Sequence, residues 1–221
     1  MTDELKTLLK LSAEEKEKAR DVLWEHTKNN TLGCKGCRLA DTRANVVFGD
    51  GDHHSRLLFI GEGPGADEDE QGLPFVGRAG QLLTQILNSV GINRKEVYIT
   101  NIVKCRPPEN RVPEPDEMLI CDQHLRTQIM LIDPALIVLL GNTPTRWILK
   151  TTEGITKLRG RWFDWHSIAV MPMFHPSYLL RNASAREGSP KHLTWLDIQE
   201  VKRQWDSVKS TGKTTDDIKF G

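Results

Sequence analysis

Apolar residues recur in this chain with two alternating periods. Short runs dense in β-formers, at Val46 to Phe48, Leu57 to Ile60, Val97 to Val103, Ala135 to Leu140 and Ile168 to Met173, predict buried strands. Between them lie segments of helical spacing: Leu82, Leu83, Ile86, Leu87 and Val90, then Met118 to Ile132, a helix through Trp147 and Leu149, and Lys191 to Val208. Before them, residues 1 to 30 predict two short helices, the second opened by Ser12 and Glu15 in capping-box spacing. Alternating strands and helices predict an α/β fold, three layers deep (α/β/α), around a central, mostly parallel sheet expected to have four strands. The expected organisation is an N-terminal helical extension over 1–30, one domain over 31–209, and a polar, disordered tail over 210–221.

One stretch stands apart from this packing pattern. Gly61 to Gly80, GEGPGADEDEQGLPFVGRAG, lies where the strand Leu57 to Ile60 ends and a helix begins, the place where open α/β sheets bind ligands. Its six glycines, Gly61 and Gly63 first, let backbone approach a small flat ligand, and Phe75 is the one large face it offers for stacking. Neither GxGxxG nor GxxxxGK[ST] is present, so a standard phosphate cradle is excluded. Two polar residues occupy the same kind of address. Asn101 interrupts an apolar strand, and its amide presents a donor and an acceptor side by side, suited to reading a base edge or to closing a turn. His175 follows the strand Ile168 to Met173 and is locked by Pro176, a position suited to one fixed hydrogen bond.

Composition narrows the class. The 221 residues are 38% hydrophobic with no apolar run long enough to cross a bilayer, so a cytoplasmic protein without a membrane partner, taken as monomeric, is expected. Thirty basic and thirty acidic residues cancel. Their distribution does not: five acids and no base fall between Glu62 and Glu70, while Lys and Arg interleave with tryptophans beyond Arg146, the side expected to face a polyanion. Arg106 and Arg111, in a proline-rich connection, are further candidates for phosphate contact. The four cysteines form the pair Cys34 and Cys37 and the more widely spaced Cys105 and Cys121. From the residues alone, an iron-sulfur cluster, a zinc ion and buried free thiols all remain open. Asp52, His53 and His54 read as a polar turn rather than a metal site, since no further ligand is in register.

In order along the chain, GEGPG, GLPFVGRAGQLL, TNIVKCRPPENRVPEP and FHPSYLLR resemble the diagnostic stretches of the family-4 uracil-DNA glycosylases, the iron-sulfur branch of the uracil-DNA glycosylase superfamily. The resemblance runs from about Gly33 to about Trp205. It implies a DNA-repair hydrolase that flips uracil out of DNA, single- or double-stranded, and hydrolyses its N-glycosidic bond without cutting the strand. It also implies that Cys34, Cys37, Cys105 and Cys121 ligate a 4Fe-4S cluster, that Asn101 reads uracil, and that His175 stabilises the departing base. Where the better-known branch carries a water-positioning Asp, this chain has Gly63, which leaves Glu62 as the carboxylate expected at the reacting centre. Glu68 is the second candidate and is expected to narrow the pocket beside uracil C5, since Gly65 replaces the aromatic that excludes thymine in that branch. Leu179 is expected to fill the gap left in the duplex, and Arg181 to bind phosphate. Two other readings accompany this one, a uracil-DNA-binding protein that traps DNA covalently and a non-catalytic iron-sulfur scaffold. The first requires a histidine-bearing basic insertion after the third cysteine, and Arg106 to Pro115 is short and lacks it.

Overall fold

A computed structural model of the chain describes residues 12–182 and 184–211. The first of the two expected N-terminal helices, most of the expected tail and residue 183 lie outside that range. The second helix is present as α1 (Ala13–Leu32), and its capping box is formed: Ser12 Oγ accepts from Glu15 N–H at 3.2 Å while Glu15 Oε2 accepts from Ser12 N–H at 2.7 Å.

Six strands form one sheet: β1 (Asp50–Gly51), β2 (Leu57–Gly61), β3 (Tyr98–Asn101), β4 (Leu136–Leu140), β5 (Phe163–Trp165) and β6 (Ile168–Met173). The order is β1-β3-β2-β4-β6-β5, and the four inner strands are mutually parallel while both edge strands run antiparallel. The expectation of four strands is therefore corrected to six. The parallel four are the long apolar runs, whereas the two edge strands have two and three residues and carry no periodicity to detect. Val46 to Phe48 is buried but pairs outside a strand ladder, with Val47 N–H donating to the Lys104 carbonyl at 2.8 Å.

Successive residues of the inner strands point to opposite faces, and both faces are apolar, as a parallel sheet requires. Leu57, Phe59, Ile99, Val138 and Met171 pack on one side with Leu83 and Leu87 of α3 (Arg78–Ser89) and Ile198, Val201 and Trp205 of α8 (Pro190–Thr211). Leu58, Ile60, Ile137, Leu139 and Val170 pack on the other with Leu125 and Ile129 of α4 (Pro115–Ile132) and Trp24 of α1. Three layers result. The elements between are short: α2 (Ala66–Gln71), α5 (Asn142–Leu149), α6 (Ile155–Leu158) and α7 (Pro176–Arg181). Because the inner strands are parallel, all four carboxyl ends meet at one rim, which places Gly61, Asn101, Gly141 and Phe174-His175 together.

Candidate active site and cysteine cavity

An open cleft of about 1060 Å³ lies over that rim. Gly61, the last residue of β2, pairs in register with Asn101, the last of β3. A Cβ on Gly61 would sit 2.4 Å from Asn101 Oδ1 and 2.6 Å from Phe75 Cζ, so the glycine is the space in which the Asn101 amide and the Phe75 ring meet. A Cβ on Gly63 would come within 2.8 Å of Val103 Cγ2, which holds the next backbone unit against β3's extension. Asn101 is 1% exposed, and its Oδ1 is buried with no hydrogen-bond partner. An acceptor desolvated without a partner costs about 1–3 kcal/mol, and an oxygen in that state beside a cleft fits a ligand that brings the missing donor.

Phe75 adopts φ 53°, a left-handed conformation costly for a bulky residue. Its carbonyl accepts from Arg94 Nη1 at 3.0 Å and the Pro74 carbonyl from Arg94 Nη2 at 2.5 Å. Gly80 completes the clamp: a Cβ there would overlap the Phe75 carbonyl at 1.8 Å. Glu68 ties the rest of the loop, accepting from the N–H groups of Gly65 (3.1 Å), Val76 (2.9 Å) and Gly77 (2.9 Å). It lines the cleft with both carboxylate oxygens already engaged. The carboxylate of Glu62 is held differently, by the hydroxyl of Thr143 on α5, a residue not singled out from the sequence. Thr143 follows β4 by the same rule that marked the other site residues, since Gly141 and Asn142 lead directly from the strand end into a helix.

His175 caps α7 with its own ring: Ser177 N–H donates to His175 Nδ1 at 3.1 Å, and Ser177 Oγ lies 2.8 Å from the same nitrogen. Burial, reinforced by the positive charge of Arg181, pulls the imidazole down to about 4. A neutral ring whose Nδ1 accepts must carry its proton on Nε2. Its centroid lies 5.7 Å from that of Phe75, so both rings border the same space.

Three candidates for DNA contact are repositioned. Leu179 is 2% exposed and packs inward, so it does not stand where a duplex gap is filled; the adjacent Leu180 is 39% exposed. A helix turns about 100° per residue, which separates the two leucines completely. Arg111 is committed to Glu117, with contacts of 2.8 and 2.6 Å, and the same carboxylate accepts from Arg38 Nε at 2.8 Å. The paired guanidiniums, Arg111 first, hold the Glu117 carboxyl well below the usual carboxylate range. Arg106 hydrogen-bonds Asn110 at 2.8 Å, whereas Arg181 is exposed at the mouth of the cleft.

The four cysteines line a second, separate cavity beneath β3, together with Thr31, Arg43, Lys104 and His124. Cys34 and Cys37 come from the segment after α1, Cys105 from the segment after β3 and Cys121 from α4. Four thiols facing one cavity form a donor set suited to a zinc ion or an iron-sulfur occupant. Its surroundings suit a negative one. Arg43 Nη1 donates to Cys105 Sγ at 3.1 Å and Lys104 N–H to Cys121 Sγ at 3.3 Å. The Lys104 side chain is 1% exposed, and its ammonium bonds only uncharged groups, Thr100 Oγ1 at 2.6 Å and the Asn101 carbonyl at 2.8 Å. Burial pulls that ammonium down to about 7, opposed by negative charge at Cys121 and Cys105. Burial also pushes the Cys121 thiol up to about 11.

A strand-end asparagine, a clamped aromatic ring and a neutral histidine thus border one cleft at the carboxyl ends of a parallel sheet. The family model for the uracil DNA glycosylase superfamily matches residues 48–199, and the chain belongs to that superfamily. Within it the chain is similar to the type-4 uracil-DNA glycosylase of Thermotoga maritima, 45% identical over 185 residues that cover 83% of this chain and 95% of the relative. It is similar also to the type-4 enzyme of Sulfurisphaera tokodaii, 42% identical with 74% and 78% covered. A type-5 uracil-DNA glycosylase of Pyrobaculum aerophilum is more distant, 31% identical with 70% and 72% covered. No helix among the described residues is long and apolar enough to cross a membrane.

Proposed function

We propose that the chain is a monofunctional uracil-DNA glycosylase that takes uracil out of the DNA stack and hydrolyses its N-glycosidic bond, leaving an abasic site. The observation that carries this reading is the buried, unpartnered Asn101 Oδ1 at the cleft, a fixed acceptor waiting for a donor. Uracil N3–H supplies that donor, and the Asn101 amide N–H₂ meets O4. Cytosine offers an acceptor at N3 and a donor at C4, so both bonds would fail, at a cost of about 1–3 kcal/mol per unpaired group. Phe75 covers the face of the base. His175 Nε2–H donates to O2, where negative charge grows as the bond breaks, and its depressed proton affinity keeps it a neutral donor throughout. Glu62, oriented by Thr143, is placed to direct water or to offset positive charge on the sugar, and the full engagement of Glu68 with loop amides leaves Glu62 the free carboxylate of the pair.

No lysine is among the described residues lining the cleft, so no amine stands ready for Schiff-base chemistry. A non-catalytic scaffold would be favoured if Asn101 and His175 pointed into the core, whereas both border the cleft. Cys34, Cys37, Cys105 and Cys121 would hold a 4Fe-4S cluster, whose contribution there is structural, joining three separate chain segments through metal-thiolate bonds. The test is an oligonucleotide with a single uracil. Strand scission should appear only after heat and alkali, with no adduct on borohydride treatment; scission before alkali, or a trapped adduct, overturns the monofunctional reading.

Two substitutions probe the parts. Asn101→Asp should slow uracil excision while relaxing discrimination against cytosine, because a carboxyl can donate or accept where the amide did one of each; unchanged rate and selectivity would remove Asn101 from the reader's role. Leu180→Ala should weaken excision from duplex more than from single strands, and Leu179→Ala should lower thermal stability instead, a buried leucine truncation costing about 2–5 kcal/mol. Excision on both substrates and melting curves separate the two.

A further inference from the structure

Asp21 on α1 and the consecutive histidines of the β1–β2 turn, His53 and His54, converge on one point outside both cavities. Asp21 Oδ1 lies 3.1 Å from His53 Nε2 and 3.1 Å from His54 Nε2, and the three atoms all fall within 4.8 Å of one another. We propose that Asp21, His53 and His54 form a binding site for a divalent transition-metal ion of the zinc class, distinct from the cysteine cavity.

Ligands at about 2.0–2.2 Å around a tetrahedral ion stand roughly 3.2–3.6 Å apart, close to the spacing already present. The rings are positioned in advance. His53 stacks on Trp24, with centroids 4.7 Å apart and planes 9° from parallel. Trp24 is itself 5% exposed and wedged by the edges of Phe48 and Tyr98. The His54 backbone N–H donates to Asp52 Oδ1 at 2.9 Å, which fixes the turn that aims its ring.

Hydrogen bonding alone leaves this cluster incompletely satisfied. A neutral His54 that donates from Nε2 to Asp21 has a bare Nδ1, and that nitrogen is buried without a hydrogen-bond partner. Its nearest carboxylate is Glu17 Oε1, at 3.7 Å, an acceptor facing an acceptor. A metal on Nε2 moves the proton to Nδ1 and turns the Glu17 contact into an attraction, the carboxylate-histidine-metal arrangement by which outer partners orient ligands. Two imidazoles with one carboxylate select zinc, nickel or copper ions, whereas magnesium and calcium prefer oxygen alone. Three protein ligands leave a position for water.

The expected role is mechanical. None of the three residues lines the cleft or the cysteine cavity. The ion would fasten α1 to the sheet edge, and α1 ends one residue before Cys34 is reached through Gly33, so the same helix carries the first two cluster cysteines into place.

The experiment uses untagged protein as purified, with its iron content measured before and after. Titration calorimetry with zinc chloride should show one saturable site per chain, and zinc should raise the melting temperature. Asp21→Ala and His54→Gln should each weaken zinc at least tenfold and abolish the thermal shift, Glu17→Gln should weaken it about tenfold, and a large excess of magnesium should not compete. Uracil excision at the parental rate in these variants shows that they are folded. Zinc uptake of full affinity in His54→Gln, uptake matched by loss of iron, competition by magnesium, or no saturable site overturns the proposal.

Discussion

His175→Ala is expected to lower the single-turnover rate of uracil excision by about 10²–10³ while leaving affinity for uracil-containing DNA nearly unchanged. A donor that meets charge only as the glycosidic bond breaks stabilises the transition state and not the bound substrate, and removing one such donor costs about 2.7–4 kcal/mol. The protonation state sharpens the expectation. His175 titrates near 4 in the folded chain against about 6.5 unfolded, so it stays neutral from neutral pH down to the neighbourhood of 4. The pH profile of the chemical step should carry no inflection near 6.5 from this residue. The sign for stability follows from the same shift: between 6.5 and 4 the unfolded chain binds the proton that the folded one refuses, so His175 destabilises the fold as pH falls through that window and has no effect above it. An excision rate in His175→Ala equal to the parent's would remove the residue from catalysis, and the search would return to Glu62 and Glu68.

Cys105→Ala should cost the fold more than the chemistry. The binding free energy of a structural metal site is folding free energy, about 10–16 kcal/mol for zinc in small peptides, against about 5–15 kcal/mol for the total stability of a domain. Losing even 5 kcal/mol would lower the melting temperature of a chain this size by more than about 10 °C. The buried Lys104 ammonium, bonded only to the Thr100 hydroxyl and the Asn101 carbonyl, would add to the loss if the proposed cluster supplies the negative charge beside it. Bound iron and melting temperature are the measurements. A variant without iron that melts with the parent would show the cysteine cavity to be dispensable for folding.

What the sequence reveals about this fold depends on how strongly each element is buried. The four parallel strands were readable because both faces are apolar, which leaves runs such as Leu136 to Leu140 with no polar interruption. The edge strands Asp50–Gly51 and Phe163–Trp165 join through backbone hydrogen bonds, to which side-chain patterns are silent. Site residues followed the same logic. Asn101 and His175 were legible as polar residues at the ends of apolar strands, a place where they must either be paired or face a ligand. Thr143 follows an apolar strand by the same rule, but what marks it is its contact with Glu62, 81 residues away, to which the sequence gives no pointer. Leu179 and Leu180 could not be distinguished by type, only by the rotation of α7. For Arg111 the sequence supplied a charge but not its partner, and the partner Glu117 lies on a helix six residues on. Lys104 offered no signal at all, since lysine is ordinarily a surface residue and nothing in the sequence shows its burial against Thr100 and the Asn101 carbonyl.

Gly61 and Asn101 are partners in the β2–β3 ladder, so the distance between the glycine floor of the cleft and the Asn101 amide is a property of the sheet. Adjacent strands are held about 4.8 Å apart by backbone hydrogen bonds whatever the connections between them contain. Changes in the rim loop that carries Phe75 and Glu68 can therefore reshape the cleft without moving the Asn101 amide, whose place is set by the ladder. The position of that amide and the shape of the cleft around it are set by different parts of the molecule, one by the backbone ladder and the other by the loops.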